Sequence, residues 1–107
     1  QVHRVYISSK NLTTIKRGAF SECSGITKFN VVSTKLNSMG KYALYRTGKL
    51  KTVIFKTGYL TKSNVGSKAF SGIKSTATFT VPAGSVQNYK DLFKSKGAGS
   101  KFKVKSL

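Results

Sequence analysis

The sequence predicts a parallel-sheet solenoid, a stack of coils in which each turn of chain buries its apolar side chains against the next. Three observations predict it. Phe29 and Val31, then Leu36, then Met39, Ala43 and Leu44 have counterparts 24 residues earlier in Val5, Ile7, Leu12, Ile15, Ala19 and Phe20. The same set returns downstream as Val53, Phe55 and Leu60 at a spacing of 24, and as Val65, Ala69 and Phe70 at 26. The third copy therefore carries two extra residues after Leu60, and Gly40 maps onto Gly66. A further apolar position leads each copy at Val2, Ile26 and Leu50, and the strand pair recurs as Phe79 with Val81 and as Phe102 with Val104. A period in the twenties with the form L-x-x-V-x-I indicates a solenoid of leucine-rich type.

The expected fold class is thus a leucine-rich repeat solenoid. It has a parallel β-sheet of short strands, short helical or 3₁₀ turns on the other side, and a C-terminal capping helix. Residues 1–81 form the repeats, with coils starting near 2, 26, 50 and 76, and residues 82–107 form the capping helix and a last strand.

In the first strand Val5 and Ile7 point inward while Arg4, Tyr6 and Ser8 point outward, because strand side chains alternate. The SSKNL corner follows, Leu12 and Ile15 re-enter the core, and KRGAF makes a short turn that buries Ala19 and Phe20. The second coil repeats this with Phe29 and Val31 inward and Lys28, Asn30 and Val32 outward. The third has Val53 and Phe55 inward, Thr52, Ile54 and Lys56 outward, and a wider corner at TKSN. All strands run in one sense relative to their coils, so the sheet is parallel with neighbours about 4.8 Å apart. Pro82 cannot donate to a ladder and marks a strand end or helix start. In AGSVQNYKDLFKSKG, Val86, Tyr89, Leu92 and Phe93 share a helical face, Ser85 is the N-cap and Gly97 the stop. Phe102 and Val104 add a closing Lys-rich edge strand, 23 residues after Phe79 and Val81. Val2 already behaves as a repeat position, so the chain reads as the C-terminal piece of a longer array or as one that lacks an N-terminal cap.

Composition bounds the function. Hydrophobic content of 38% is modest, yet it falls in register, which suits a narrow continuous column rather than a globule. No run of eighteen apolar residues exists, so no membrane span is expected, and Gln1 opens no signal peptide, although a targeting segment removed earlier fits equally. Twenty Lys and Arg face only Glu22 and Asp91, a formal charge of +18, and such a field attracts polyanions. Two readings are open: a functional charge, or the polar exterior that any solenoid needs.

Chemistry is scarce. One cysteine cannot form an internal disulfide, and Cys23 aligns with Thr47 and Ile73, which makes it a small buried hydrophobe. The only histidine, His3, is remote from it in sequence and starts a strand. General acid–base catalysis would have to draw on Glu22, Asp91 and His3, which fall in separate places. They form no metal set with Cys23, and no phosphate-cradling glycine motif occurs. No enzyme activity, cofactor or metal is expected.

The stretches LTTIKRGAFSECSGI, LNSMGKYALYRTGKL and VGSKAFSGI, followed by VPAGSVQNYKDLF, carry a resemblance that covers nearly the whole chain. They resemble the BspA-like leucine-rich repeats of bacterial surface antigens, including the segment that closes such arrays. The chain departs from that pattern at Leu44 in place of Phe, at Thr47 and Ile73 in place of Cys, and at Lys16 in place of the Gly of positions 40 and 66. The resemblance implies a secreted or cell-wall-displayed binding protein, often one module of a larger polypeptide, and it implies no shared ligand.

Binding is therefore expected on the exposed strand face. Its outward residues fall in columns of Arg4, Lys28, Thr52, Thr78 and Lys101; of Tyr6, Asn30, Ile54, Thr80 and Lys103; and of Ser8, Val32, Lys56, Pro82 and Lys105. The candidate ligand-binding residues are Arg4, Tyr6, Lys28, Asn30, Ile54, Lys56, Lys101 and Lys103. A platform for an extended ligand and a sheet whose residues simply stabilise one another both fit these columns. Two functions follow: an adhesion module for a host or bacterial surface protein or glycan, or an electrostatic anchor for teichoic acid, sulfated glycan or extracellular DNA. A structural spacer is the third. Sequence-specific nucleic-acid recognition is disfavoured, since no helix-turn-helix, RNA-recognition or zinc-finger signature is present.

Overall fold

A computed structural model describes residues 3–107, and Val2 lies outside them. Five four-residue strands set the architecture: β1 (Arg4–Ile7), β3 (Lys28–Val31), β5 (Thr52–Phe55), β6 (Thr78–Val81) and β7 (Lys103–Ser106). They pair in parallel in the order β1-β3-β5-β6-β7, which is the stack expected of successive coils. Val5, Phe29, Val53 and Phe79 share one register row, as the 24- and 26-residue spacings require. On a second side, β2 (Thr14–Ile15) pairs with β4 (Ser38–Met39), and Met39 bridges to Val65.

The third side consists of hydrogen-bonded turns with no helix. Two patterns of backbone N–H alternate along it. Ala19, Ser21 and Cys23 donate to the carbonyl three residues back, in the manner of 3₁₀ turns. Gly18, Phe20 and Glu22 donate instead to Lys41, Ala43 and Tyr45 of the next coil at 2.7–3.0 Å. This alternation uses left-handed residues at matched places: Gly18, Tyr42 and Lys68 form one series, and Glu22, Arg46 and Gly72 the other. Four of the six are not glycine, and that conformation costs such residues about 1–2 kcal/mol each. The inter-coil ladder is what holds them there.

The core is a column of aromatic rings running through the stack. Phe29 meets Phe55 at 6.4 Å, Phe55 meets Phe70 at 6.3 Å, and Phe70 meets Phe79 at 5.5 Å, all edge-on. All four are fully buried. The corners after β3 and β5 are each stapled by a hydroxyl. Ser33 donates to Leu12 O at 2.7 Å and Thr57 donates to Leu36 O at 2.6 Å, each reaching back to the preceding coil. The two-residue insertion is closed by Asn64, whose Oδ1 accepts from Thr61 N at 2.7 Å and whose Nδ2 donates to Tyr59 O at 2.8 Å.

After β6 the chain turns at Pro82 into a short 3₁₀ helix, Ala83–Ser85, and then α1, Val86–Ser95. Ser85 occupies the N-cap position, but its side chain makes no capping hydrogen bond. The preceding 3₁₀ turn already feeds the chain into the helix. Phe93 of α1 stacks on Phe79 at 3.9 Å, and Tyr89 donates its hydroxyl to Thr57 O at 2.7 Å while accepting from Leu60 N at 3.1 Å. Gly97 ends the helix with φ of 105° where a Cβ would lie 2.8 Å from Ser71 Cα, so no other residue fits there.

Two expectations need correction. Phe79 pairs with Val104 and not with Phe102, a spacing of 25 rather than 23. The loop leaving α1 first runs over Ser71 and Ser75, against Gly97 and Gly99, before β7 begins. The match of Phe-x-Val with Phe-x-Val was therefore two residues out of step, and Lys101 lies in a turn ahead of the ladder. Ala19 is exposed and Cys23 is half-buried, whereas Ala43, Ala69 and Thr47 in the matching places are fully buried. Among the described residues no coil lies on the N-terminal side of the first one to cover them.

Candidate functional site

The uncovered face of the five-stranded sheet is built by register. Arg4, Lys28, Thr52, Thr78 and Lys103 form one outward row, and Tyr6, Asn30, Ile54, Thr80 and Lys105 the next. Lys103 and Lys105 each stand one row earlier than the sequence spacing placed them, for the register reason given above.

Four expected residues come together. Arg4, Tyr6, Lys28 and Asn30 line a depression of about 290 Å³ at the β1–β3 end of the face. Tyr6 is 64% exposed, which for a large ring on a sheet leaves most of one face open to a ligand. Beside it in register, Asn30 Oδ1 is shut off from solvent and has no hydrogen-bond partner. A buried acceptor left unsatisfied costs about 1–3 kcal/mol. Ile54 adjoins Asn30 in register.

The other candidates lie apart. Lys56 lines a second depression, of about 540 Å³, beyond the strand ends with Lys35, Tyr59 and Pro82. Lys103 borders the far edge of the sheet, and Lys101 is not on the ladder. Sequence reasoning missed Tyr59, which is 65% exposed. It is an aromatic residue that fills none of the repeat's apolar positions, and that was the available signal.

The turn side presents another set that the apolar repeat conceals. Tyr42 and Tyr45 have ring centroids 4.9 Å apart, with Lys41 Nζ 5.1 Å and the Arg17 guanidinium 5.7 Å from the Tyr42 ring, and Arg46 5.6 Å from Tyr45. Such contacts hold cations over aromatic faces and contribute about 0.5–1 kcal/mol each when exposed.

No group of three or more His, Cys, Asp or Glu able to hold a metal occurs among the described residues. No helix among them is long and apolar enough to cross a membrane. Burial raises the pKa of the Tyr89 hydroxyl above the ordinary tyrosine value, offset in part by the hydrogen bond from Leu60 N. That group staples α1 to the third coil and is remote from the face.

Neither a search of curated proteins nor one of solved structures gave a match. The family model for the BspA type leucine-rich repeat region (6 copies) matches residues 2–106. Leucine-rich repeats of this kind are protein-interaction modules, generally without catalytic activity of their own. The coil period, the parallel ladder and a match across nearly the whole sequence agree, and the chain belongs to the BspA type leucine-rich repeat family.

Proposed function

We propose that the chain is a non-catalytic module that uses its uncovered sheet face to bind an extended protein or glycan ligand at a bacterial cell surface or in secreted form. The observation that carries this reading is the depression of Arg4, Tyr6, Lys28 and Asn30, with an exposed aromatic ring next in register to an asparagine whose amide oxygen is unpartnered. Rings and amide groups of this kind suit a sugar face or a peptide, and the flanking cations suit acidic substituents on either. Family membership supports the surface location.

A second reading, an anchor for anionic polymers such as teichoic acid, sulfated glycan or extracellular DNA, is favoured by one specific observation. The cations are not confined to the ladder, and Lys16, Lys41 and Lys68 lie exposed on the turn side. One salt series separates the two. Binding of heparin, teichoic acid, DNA and neutral glycans is measured on the parent, on Tyr6→Ala, on Lys28→Glu/Lys56→Glu/Lys103→Glu and on Lys16→Glu/Lys41→Glu/Lys68→Glu. The face reading expects binding that survives physiological salt, falls about tenfold or more on Tyr6→Ala and is untouched by the turn-side triple change. Steep loss with salt together with equal loss from both triple variants would assign the interaction to net charge and end the face reading.

A further inference from the structure

The far end of the stack offers a site of a different kind. Among the described residues strand β7 pairs only with β6, so its other edge carries backbone groups that no described residue pairs. Lys103 N donates to Ala77 O and Leu107 N to Val81 O, so by the period of two the N–H groups of Val104 and Ser106 point away from the sheet. Beside that edge runs a groove of about 780 Å³ between β7 and α1. Its floor is apolar, from Phe102 and Val104, which are only half-buried with no further coil over them among the described residues. Lys90, Lys94, Lys103 and Lys105 line it against a single carboxylate, Asp91.

We infer that this groove takes an acidic polypeptide in extended form, which adds to β7 as a sixth strand. Only a polypeptide supplies the regular donors and acceptors that Val104 and Ser106 lack. In that position the peptide's alternate side chains face Phe102 and Val104, and those between them face Lys103 and Lys105. The fitting pattern is therefore apolar residues alternating with Glu or Asp, since opposite charges directly across two strands attract. Lysines on an edge normally discourage pairing. Here they exclude a second copy of this chain, whose own charge is +18, and neutral edges gain nothing from them. An acidic strand is the partner they favour. This site shares Lys103 and Lys105 with the outward rows of the sheet face but lies at the opposite end of the ladder from Tyr6.

The probe is a blocked peptide of alternating Glu and Val, about six residues long to match a typical strand, together with the same peptide N-methylated at alternate backbone positions. Amide exchange and chemical shifts are followed by NMR on the intact chain. The expected result is protection of the Val104 and Ser106 amides, and affinity that weakens about tenfold or more on backbone N-methylation. A similar loss is expected for Lys103→Glu/Lys105→Glu, with Lys90→Glu/Lys94→Glu on α1 as a second variant that leaves the strand sequence intact. Lys41→Glu/Lys68→Glu removes the same charge on the turn side and should bind nearly as the parent does. Thermal melts confirm that each variant is folded. Four results would overturn the inference: no binding at about 1 mM peptide, indifference to N-methylation, equal loss from the turn-side variant, or protection at Asn30 and Ile54 instead. The last would leave the sheet-face reading standing while removing this one.

Discussion

The first and third coils carry the same apolar pattern and have different fates. Val5, Ile7, Leu12 and Phe20 are only half-buried and Ala19 is exposed, whereas Val53, Phe55, Leu60, Phe70 and Ala69 are buried, nearly all of them completely. The residue types match, so the difference comes from neighbours: a coil inside the stack is covered from both sides, and among the described residues the first is covered from one. In a solenoid, burial belongs to the interface between repeats and not to the repeat. Position 16 and its counterparts make the same point through the backbone. A Cβ on Gly40 would lie 2.2 Å from Arg17 N, and one on Gly66 would lie 2.2 Å from Lys41 N, so each later coil presses its backbone directly on the one before. Lys16 keeps a full side chain because no described coil lies on that side of it.

The strongest test of the comparison places the same charge in an interior and in an end coil. Phe79→Asp removes a fully buried ring that stacks on Phe93, worth about 3–5 kcal/mol, and leaves an unpaired carboxylate in the column at further cost. Domains of this size have about 5–15 kcal/mol in total, so this variant should be unfolded by circular dichroism at room temperature. Val5→Asp places its carboxylate at a half-exposed site in a strongly cationic chain, and should lower stability by no more than about 1–2 kcal/mol. Equal melting of the two would show that the first coil is as thoroughly packed as the fourth.

A smaller effect is expected where backbones touch. Gly40→Ala should cost about 3 kcal/mol in urea unfolding, because the clashing atoms belong to Arg17 and Lys16 main chain and cannot swing away. Lys16→Ala should change stability by less than about 0.5 kcal/mol. If Gly40→Ala is neutral, the stack is looser than described and the comparison loses its backbone half.

The smallest of the three effects sharpens the C-terminal side of the contrast, where α1 covers the third coil while no described residue covers the N-terminal side of the first. Tyr89→Phe leaves Thr57 O and Leu60 N without their partner and should cost about 1–3 kcal/mol near neutral pH. Burial raises the Tyr89 pKa in the folded chain. The folded state thus holds the proton more tightly, so this contribution is complete below the unfolded value of about 10 and is lost as pH rises through the folded value. The difference in melting temperature between parent and Tyr89→Phe should shrink with rising pH in that range, and a constant difference would mean that the hydroxyl is not buried.

The repeat rows were legible because a two-residue alternation inside a 24-residue period leaves little freedom. Val5, Phe29, Val53 and Phe79 align in the sheet as their spacing requires, and the outward positions of Arg4, Tyr6, Lys28, Asn30 and Ile54 follow from the same alternation. Ser33 and Thr57 could also have been found, since hydroxyls recur at Ser9, Ser33 and Thr57 with that period, but attention to apolar residues passed over them. The register of β7 was not legible. It depends on how a non-repeating helix and its exit loop pack on Ser71 and Ser75, and a local resemblance of Phe-x-Val to Phe-x-Val pointed two residues away.

The sequence by itself determined the period, the parallel stack, the inward and outward faces and the large positive charge, because each is a property of residue type and spacing along the chain. Tertiary structure decided the rest. It left Cys23 half-buried and Ala19 exposed, gathered Arg4, Tyr6, Lys28 and Asn30 into one depression, stranded Asn30 Oδ1 without a partner, and opened a groove beside β7. Each of these depends on which atoms of other coils lie within a few ångströms, and a repeating pattern carries no information about what happens where the repetition stops.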